Sequence, residues 1–325
     1  MKAIVFDNPG AEDVLRLGEA PAPALGPQEL RIRVRATAVN RADLLQRQGL
    51  YPPPPGASAI LGLECAGEVI EVGAEVGEWH VGDRAMALLA GGGYAEEAVV
   101  HHGSAMPIPA AMSFEQAGAI PEVFLTAFLN LFLLGNAREG GAALVHGGGS
   151  GVGTAAIQLL QEAGLQAIIT AGSTEKCERC LELGASVAIN YRDGDFAPKV
   201  RQATGGRGVD VVLDHIGGKY FASNLEALAV DGRLVIIGLL GGIKAEVNLA
   251  AMLMKRMQVI GSTLRTRAVE DKAAIVEAFW SRFGEALEAG RIKAVVDQVF
   301  PLAEAAEAHR LVQSSAHFGK VVLSV

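Results

Sequence analysis

The sequence predicts a two-domain α/β protein in which a doubly wound parallel sheet is inserted into a β-rich, barrel-like domain. Three observations carry that reading. The chain has 325 residues, more than one core usually holds, since domains run to roughly 100–200 residues. Residues 1–120 read as short β-branched or alternating runs cut by glycine and proline turns, the texture of a barrel-like domain. From about residue 123, apolar strands alternate with helical patterns, the mark of parallel βαβ units.

In chain order, strands are expected at 2–6, 29–38 and 67–72, with a short helix at 41–48 and turn-rich pieces at 20–28, 51–56 and 91–93. Residues 142–146 form a buried-type strand. Val152, Ala155, Ala156, Leu159, Leu160 and Ala163 follow at spacings that trace one helical face. Further strands are expected at 166–171, 187–190, 209–214, 233–237 and 257–260, and helices at 174–183, 197–203 and 220–228. A long helix (269–289), a strand (295–300), a helix (303–312) and a terminal strand (320–325) then return to the first domain. The expected boundaries are 1–122 for the first part of that domain, 123–262 for the insert and 263–325 for the return.

Composition bounds the function. Hydrophobic residues make up 50% and charged residues 20% of the chain, which supplies ample core. The net charge of −8 lacks the basic footprint of a nucleic-acid binder. The N-terminal MKAIVFDNPG carries charges and a proline where a signal peptide needs an apolar run. The stretch 123–137, bounded by Glu122 and Arg138, is shorter than the roughly 18–20 residues of a membrane span. Three cysteines make no disulfide framework, so a reduced, cytoplasmic setting is expected. The 40 glycines are clustered rather than periodic, and argue for tight turns and close backbone approaches.

Residues 142–163, AALVHGGGSGVGTAAIQLLQEA, read as strand, glycine turn and helix. Such a turn lets the backbone approach a pyrophosphate, and the helix offers unpaired N–H groups and the positive end of its dipole. Ser150 stands where the middle glycine of a strict GxGxxG would be, and no Lys-Ser or Lys-Thr follows to make a Walker A loop. An NAD-binding sheet carries an acid about 20 residues on. Here Gly172-Ser173-Thr174-Glu175-Lys176 follows the second strand. Ser173 and Lys176 suit a 2′-phosphate through charge-assisted hydrogen bonds, favouring NADP, although Ser173 is equally a helix N-cap.

The chain resembles the zinc-free, zeta-crystallin-like quinone oxidoreductases of the medium-chain dehydrogenase/reductase superfamily. The stretches that carry the likeness include VNRADLLQRQGLYPPPPG (39–56), LGLECAGEVIEVG (61–73), VGDRAMAL (81–88), HGGGSGVGTAAIQL (146–159), TAGSTEK (170–176), LGASVAINY (183–191), LDHIGG (213–218) and FGKVVL (318–323). The resemblance implies a GroES-like β-barrel domain around a Rossmann domain, with NADPH in the cleft between them. It implies that Asn40 and Thr126 lie by the nicotinamide, and that Ser150, Gly151, Val152 and Gly153 hold the pyrophosphate. Ser173, Lys176 and Tyr191 would hold the 2′-phosphate. Gly238, Leu239 and Leu240 would meet the nicotinamide side, Leu264, Phe318 and Lys320 would close the cleft, and Tyr51 would sit at the substrate mouth. Plainer readings stand beside three of these: Tyr51 as packing for its proline loop, Thr126 as a helix residue bonding its own backbone, and Phe318 as core.

Related zinc enzymes need thiolate or imidazole ligands. Gly62-Leu63-Glu64 has leucine where their Gly-His-Glu has histidine, and VNRAD lacks their cysteine. The four-cysteine lobe is absent. Cys177-x-x-Cys180 reads as two half-buried helix thiols and His101-His102 as a solvated turn, so no metal is expected. Without a Lewis acid, a quinone is a better hydride acceptor than a carbonyl, because its reduced oxygen is a weakly basic phenolate. The resulting expectation is a zinc-free NADPH-dependent quinone reductase, active on a small electron-poor acceptor, as a homodimer. A reductase of activated alkenes, and an NADPH-binding protein with little turnover, are the alternatives.

Overall fold

The computed structural model describes all residues, 1–325. By internal contacts the chain divides into two compact units, Thr126–Thr263 and the discontinuous pair Met1–Leu125 with Leu264–Val325.

The Thr126–Thr263 unit is built on six parallel strands. Across the sheet they run Val187–Asn190, Gln166–Ala171, Ala142–Val145, Val209–Asp214, Leu228–Ile236 and Gln258–Gly261. This is the 3-2-1-4-5-6 order of the Rossmann sheet, and its direction reverses between Ala142–Val145 and Val209–Asp214. The central strands are apolar on both faces, as a sheet covered on two sides requires: every residue of Ala142–Val145 is buried. Leu144, Ile168, Val212 and Leu234 pack with Phe196, Val200 and Leu225 from the covering helices. The Leu228–Ile236 strand starts five residues earlier than the sequence suggests. Asp231 adopts φ +62° inside it, and the pairing steps from Val209↔Leu228 to Val211↔Arg233. A short helix at Leu249–Lys255, unforeseen in the sequence, leaves Leu249, Leu253 and Met254 exposed beside the edge strand.

The apolar helical run Phe114–Leu134 is longer than the 123–137 stretch because it starts earlier, with Glu115 and Glu122 accommodated in its first turns. By length and composition it is long enough to cross a membrane, yet 78% of its apolar window is buried inside the protein, the environment of a core helix. Its last six residues, Leu129–Leu134, widen to a π-helix, with the Gly135 N–H donating to Asn130 O at 2.9 Å.

The other unit carries a seven-stranded sheet in the order Val296–Pro301, Lys320–Ser324, Glu29–Ala38, Glu64–Val72, Arg84–Leu88, Ala105–Pro107, with Glu97–His101 also pairing Glu29–Ala38. The first pair is parallel and the rest are antiparallel. Along Glu29–Ala38, Leu30, Ile32 and Val34 point inward and Arg33 and Arg35 outward, the two-residue period of a half-buried strand. Lys2–Val5 forms a separate hairpin with Arg16–Glu19. That partner and the short strands at 84–88, 97–101 and 105–107 were not legible, because their small residues give no alternation long enough to count. His101 and His102 are half-buried rather than a solvated turn, since His102 bonds Glu78. Both CxxC thiols are buried and free, and burial raises the pKa of each.

Candidate active site

In the parallel-sheet unit, the glycine turn leads from Ala142–Val145 into the twelve-residue helix Gly151–Glu162. Ser150 is its N-cap, and its hydroxyl accepts the Gly153 N–H at 3.0 Å. The serine that breaks the glycine fingerprint therefore has a structural task. The Gly151 and Val152 N–H groups have no partner in the chain, the usual state of a helix's first turn. Gly153 is obligatory, because a Cβ there would lie 2.3 Å from Gly147 O.

At the next strand, Ser173 caps Thr174–Glu182 and accepts the Lys176 N–H at 3.2 Å. The N-cap reading of Ser173 thus holds, and leaves its hydroxyl hydrogen available to a ligand. Parallel pairing sets Asn190 beside Ala171, which brings Tyr191 against Gly172. A Cβ on Gly172 would lie 2.4 Å from the Tyr191 phenol oxygen. A side chain at the position where an NAD-type acid would stand must therefore displace the Tyr191 phenol. Ser173 and Lys176 thus share one helical turn, and Tyr191 lies against the neighbouring Gly172.

Behind the turn runs a buried polar chain. The Asn224 Nδ2 donates to Asp214 Oδ2 at 3.1 Å, so its Oδ1 accepts from His146 Nε2 at 2.7 Å, and His146 Nδ1 takes the Thr170 hydroxyl at 2.9 Å. Burial lowers the His146 pKa to about 3, which keeps the ring neutral. Asp214 also accepts the Ile216 and Gly217 N–H groups, fixing the turn along which residues 238–241 run: Leu240 N–H donates to His215 O and Gly241 N–H to Ile216 O. Leu239 and Leu240 are more than half exposed there. Thr126 is half-buried, and its hydroxyl bonds nothing in the chain; only its carbonyl is used, by Asn130 Nδ2.

In the other unit, side chains far apart in sequence meet at one buried node. Lys320 Nζ, on the inner strand Lys320–Ser324 next to one sheet edge, donates to Asn40 Oδ1 (2.6 Å), Glu64 Oε1 (2.8 Å) and Val39 O (3.1 Å). All three ammonium hydrogens are engaged. The expectation that Lys320 closes over a cofactor is corrected: the ion pair with fully buried Glu64 holds it. Asn40 is braced likewise, its Nδ2 donating to Glu64 Oε1 and Ala38 O. Its backbone N–H donates to Asp43 Oδ2, and Asp43 Oδ1 accepts the Gly62 N–H. Glu64 Oε2 accepts the Glu122 N–H at 2.9 Å. Leu264 and Phe318 are buried in this unit. Arg265, with its Nε on Ala90 O and one Nη on Gln46 Oε1, lies 5.4 Å from the Tyr51 ring centroid and leaves its other buried Nη without a partner. Sequence reasoning missed Asp43, Glu64, Glu122 and Arg265 as site residues. The available signal was Glu64 inside the apolar run LGLECAG and Lys320 inside FGKVVL, since a charge in a buried strand demands an opposite one.

Burial, with the Glu64 carboxylate next in weight, raises the Glu122 pKa to about 8; burial raises that of Asp43 to about 6. A carboxyl that holds its proton in the native state up to pH 8, and releases it near 4.5 when unfolded, lowers stability as pH rises through that window. Glu122→Gln is therefore expected to raise the thermal midpoint by a few degrees at pH 8 and to leave it unchanged at pH 4.5. Melting curves at the two pH values check this.

The donor set does not fit a catalytic zinc. Leu63 supplies no ligand, the Glu64 carboxylate is held by an ammonium and an amide, and no three His, Cys, Asp or Glu side chains are arranged so that they could hold a metal ion.

Residues 26–110 match the family model of the alcohol dehydrogenase GroES-like domain, and residues 183–323 that of a zinc-binding dehydrogenase. The chain is 31% identical to the quinone oxidoreductase of Rattus norvegicus, over 99% of this chain and 97% of that one. Among solved structures, an NAD-dependent alcohol dehydrogenase is 35% identical (TM-score 0.87, all of both chains covered). Escherichia coli quinone oxidoreductase complexed with NADPH is 31% identical (TM-score 0.87, all of both chains). The CurK enoyl reductase is also 31% identical (TM-score 0.87, 99% of this chain and 98% of that one). With the GroES-like and Rossmann folds on either side of this division, the chain belongs to the quinone oxidoreductase family of the medium-chain dehydrogenase/reductase superfamily. It is an oxidoreductase of that type.

Proposed function

We propose that the protein is an NADPH-dependent, zinc-independent quinone reductase. The observation that carries the reading is the Lys320 ammonium between Asn40 and Glu64: it takes up the polar groups that a Lewis-acid metal would need, and favours acceptors that require none. The Gly151 and Val152 N–H groups, with Ser150 and Gly153, suit a pyrophosphate. Ser173, Lys176 and Tyr191 suit a 2′-phosphate, as does glycine rather than an acid at residue 172. Thr126 offers a free hydroxyl, and Gly238, Leu239 and Leu240 an exposed backbone, to the nicotinamide end. Asn40, braced by Glu64 and Ala38, and the buried Leu264 and Phe318 belong to the other unit. In this assignment the 126–263 unit binds the nucleotide and the other unit the acceptor. Bound NADPH supplies a hydride; the chain's part is to orient donor and acceptor, which is most of what hydride transfer to a quinone needs.

Tyr51 is the acceptor's wall. Its ring rests beside Arg265, and burial raises the phenol's pKa, so it stays a neutral hydroxyl. Tyr51→Phe is expected to keep most quinone turnover, while Tyr51→Ala raises KM, as steady-state kinetics on one quinone will read. The enoyl reductase likeness favours activated alkenes as the second reading. There, loss of a proton donor would cost Tyr51→Phe about 10²–10⁴-fold in turnover.

The deciding experiment follows NADPH oxidation on a panel of quinones and enones before and after dialysis against a chelator. Quinone turnover that survives dialysis supports the proposal. Turnover on enones alone, or loss with the chelated metal, refutes it, and no turnover on either class marks a binding protein.

We further propose a cytoplasmic homodimer. Gln258–Gly261 is an unpaired sheet edge, flanked by Leu249, Leu253 and Met254, each more than 70% exposed. An apolar patch at an open edge invites a second copy. Leu253→Asp with Met254→Asp is expected to halve the mass seen by light scattering.

A further inference from the structure

Both tryptophans of the chain, Trp79 and Trp280, line one open cavity of about 960 Å3 within the 1–125/264–325 unit. None of Asn40, Tyr51, Glu64, Glu122, Arg265 or Lys320 borders it. Its size is that of a small-molecule site.

Three pieces of chain build it. The turn after Glu64–Val72 brings Trp79 and Asp83. The segment around Ala105–Pro107 brings Met106 and Ile108. The helix Val269–Glu288 presents Ala273, Val276, Glu277 and Trp280, whose spacing puts them on one helical face. Local packing sets the indole. Gly284 stands one turn beyond Trp280, and a Cβ there would lie 3.0 Å from the indole, so the missing side chain lets the ring lie along the helix. At Gly103 a Cβ would lie 2.7 Å from that of Ala273, so glycine also lets the His102–Ser104 turn close against this helix.

The charge around these aromatic walls is mainly negative. Glu78, Asp83 and Glu277 all face the cavity. Glu78 is bonded to His102, and Asp83 accepts the His80 N–H at 2.8 Å. Glu277 takes part in no ion pair. The one guanidinium, that of Arg84, donates to the carbonyls of Ala110 and Met112 and lies 4.8 Å from the Phe114 ring centroid. Two of its five N–H groups are engaged there, and three carboxylates face the cavity against this one guanidinium.

We propose that this cavity is a second ligand site, taking a planar aromatic cation that stacks on the two indoles and sets its charge against Glu277 and Asp83. An indole face attracts a cation more strongly than any other side-chain ring, and the surplus carboxylate rejects an anion of the same shape. The site is independent of the nicotinamide chemistry and makes no use of its residues.

Because the chain has no other tryptophan, its tryptophan emission, excited at wavelengths where the four tyrosines do not absorb, reports on this cavity alone. Titration without NADPH uses N-methylquinolinium as the cation and naphthalene-2-sulfonate as the anion of matched size. Saturable quenching is expected for the cation, at least tenfold tighter than for the sulfonate. Trp280→Phe should remove about half of the quenched amplitude, and Glu277→Gln, a substitution on an exposed helix face, should weaken the cation about fivefold. Linear quenching without saturation, equal affinity for the two probes, or an unchanged Glu277→Gln titration would each overturn the proposal. So would an emission spectrum that shifts with protein concentration alone, which would mark the face as a contact between two copies.

Discussion

Lys320→Met is expected to cost about 3–5 kcal/mol of stability, the range for removing one partner of a buried ion pair. The Lys320 side chain is 3% exposed and that of Glu64 is fully buried. With the ammonium gone, Glu64 keeps only N–H donors from Asn40 and Glu122, so it must either stay charged and poorly compensated or take a proton. Asn40 loses the donor to its Oδ1 at the same time. The double variant Lys320→Met/Glu64→Gln should recover much of the loss, because a neutral amide asks for no counter-ion. Urea unfolding of the wild type, both single variants and the double variant closes the cycle. If Lys320→Met cost under 1 kcal/mol, or the double variant added the two single losses, the node would not be a coupled pair.

Lys176→Ala is expected to weaken NADPH by about one to two decades and to leave NADH nearly unchanged. One charge-assisted hydrogen bond is worth roughly 1.5–3 kcal/mol, and each 1.4 kcal/mol is tenfold. The selectivity follows from what the neighbours already do. The Ser173 hydroxyl oxygen is held by the Lys176 N–H, and the Tyr191 phenol fills the space above Gly172. An acid at residue 172 must displace the Tyr191 phenol: Gly172→Asp should weaken NADPH, and the pair Gly172→Asp/Tyr191→Ala should take NADH better than Gly172→Asp alone. Dissociation constants for both cofactors by calorimetry check the set. Equal losses for NADPH and NADH in Lys176→Ala would make that lysine a structural residue.

The nucleotide half was legible because its parts lie close in sequence. A strand, a glycine turn and a helix fall within residues 142–163, and Ser173 and Lys176 belong to one helical turn. Periodicity and capping are local properties, and one chain segment displays them. The acidic node was not legible, because its partners are joined by strand pairing rather than by neighbourhood: Lys320 and Glu64 lie 256 residues apart. The Lys320–Ser324 strand reaches Glu29–Ala38 only through the antiparallel register Val322↔Ala38. The likeness to a family singled out Asn40 and Lys320, two members of that node, yet gave Lys320 an outward task where the fold turns its ammonium inward to Glu64. The Gly172–Tyr191 contact was hidden for the same reason, since it depends on the pairing of two neighbouring strands.

The interrupted unit has a bearing on the order in which the protein is made. Its sheet has Lys320–Ser324 as an inner strand, between Val296–Pro301 and Glu29–Ala38, and that strand is synthesised only after the whole insert. The insert, by contrast, holds all six of its strands between Thr126 and Thr263 and can close while the tail is still being synthesised. An unfolded insert of that length would set about 4 kcal/mol of loop-closure entropy against joining the two outer segments. Folding the insert first shortens the effective loop. Until the Lys320 strand is made, the N-terminal segment holds Glu64 uncompensated and one edge of Glu29–Ala38 open.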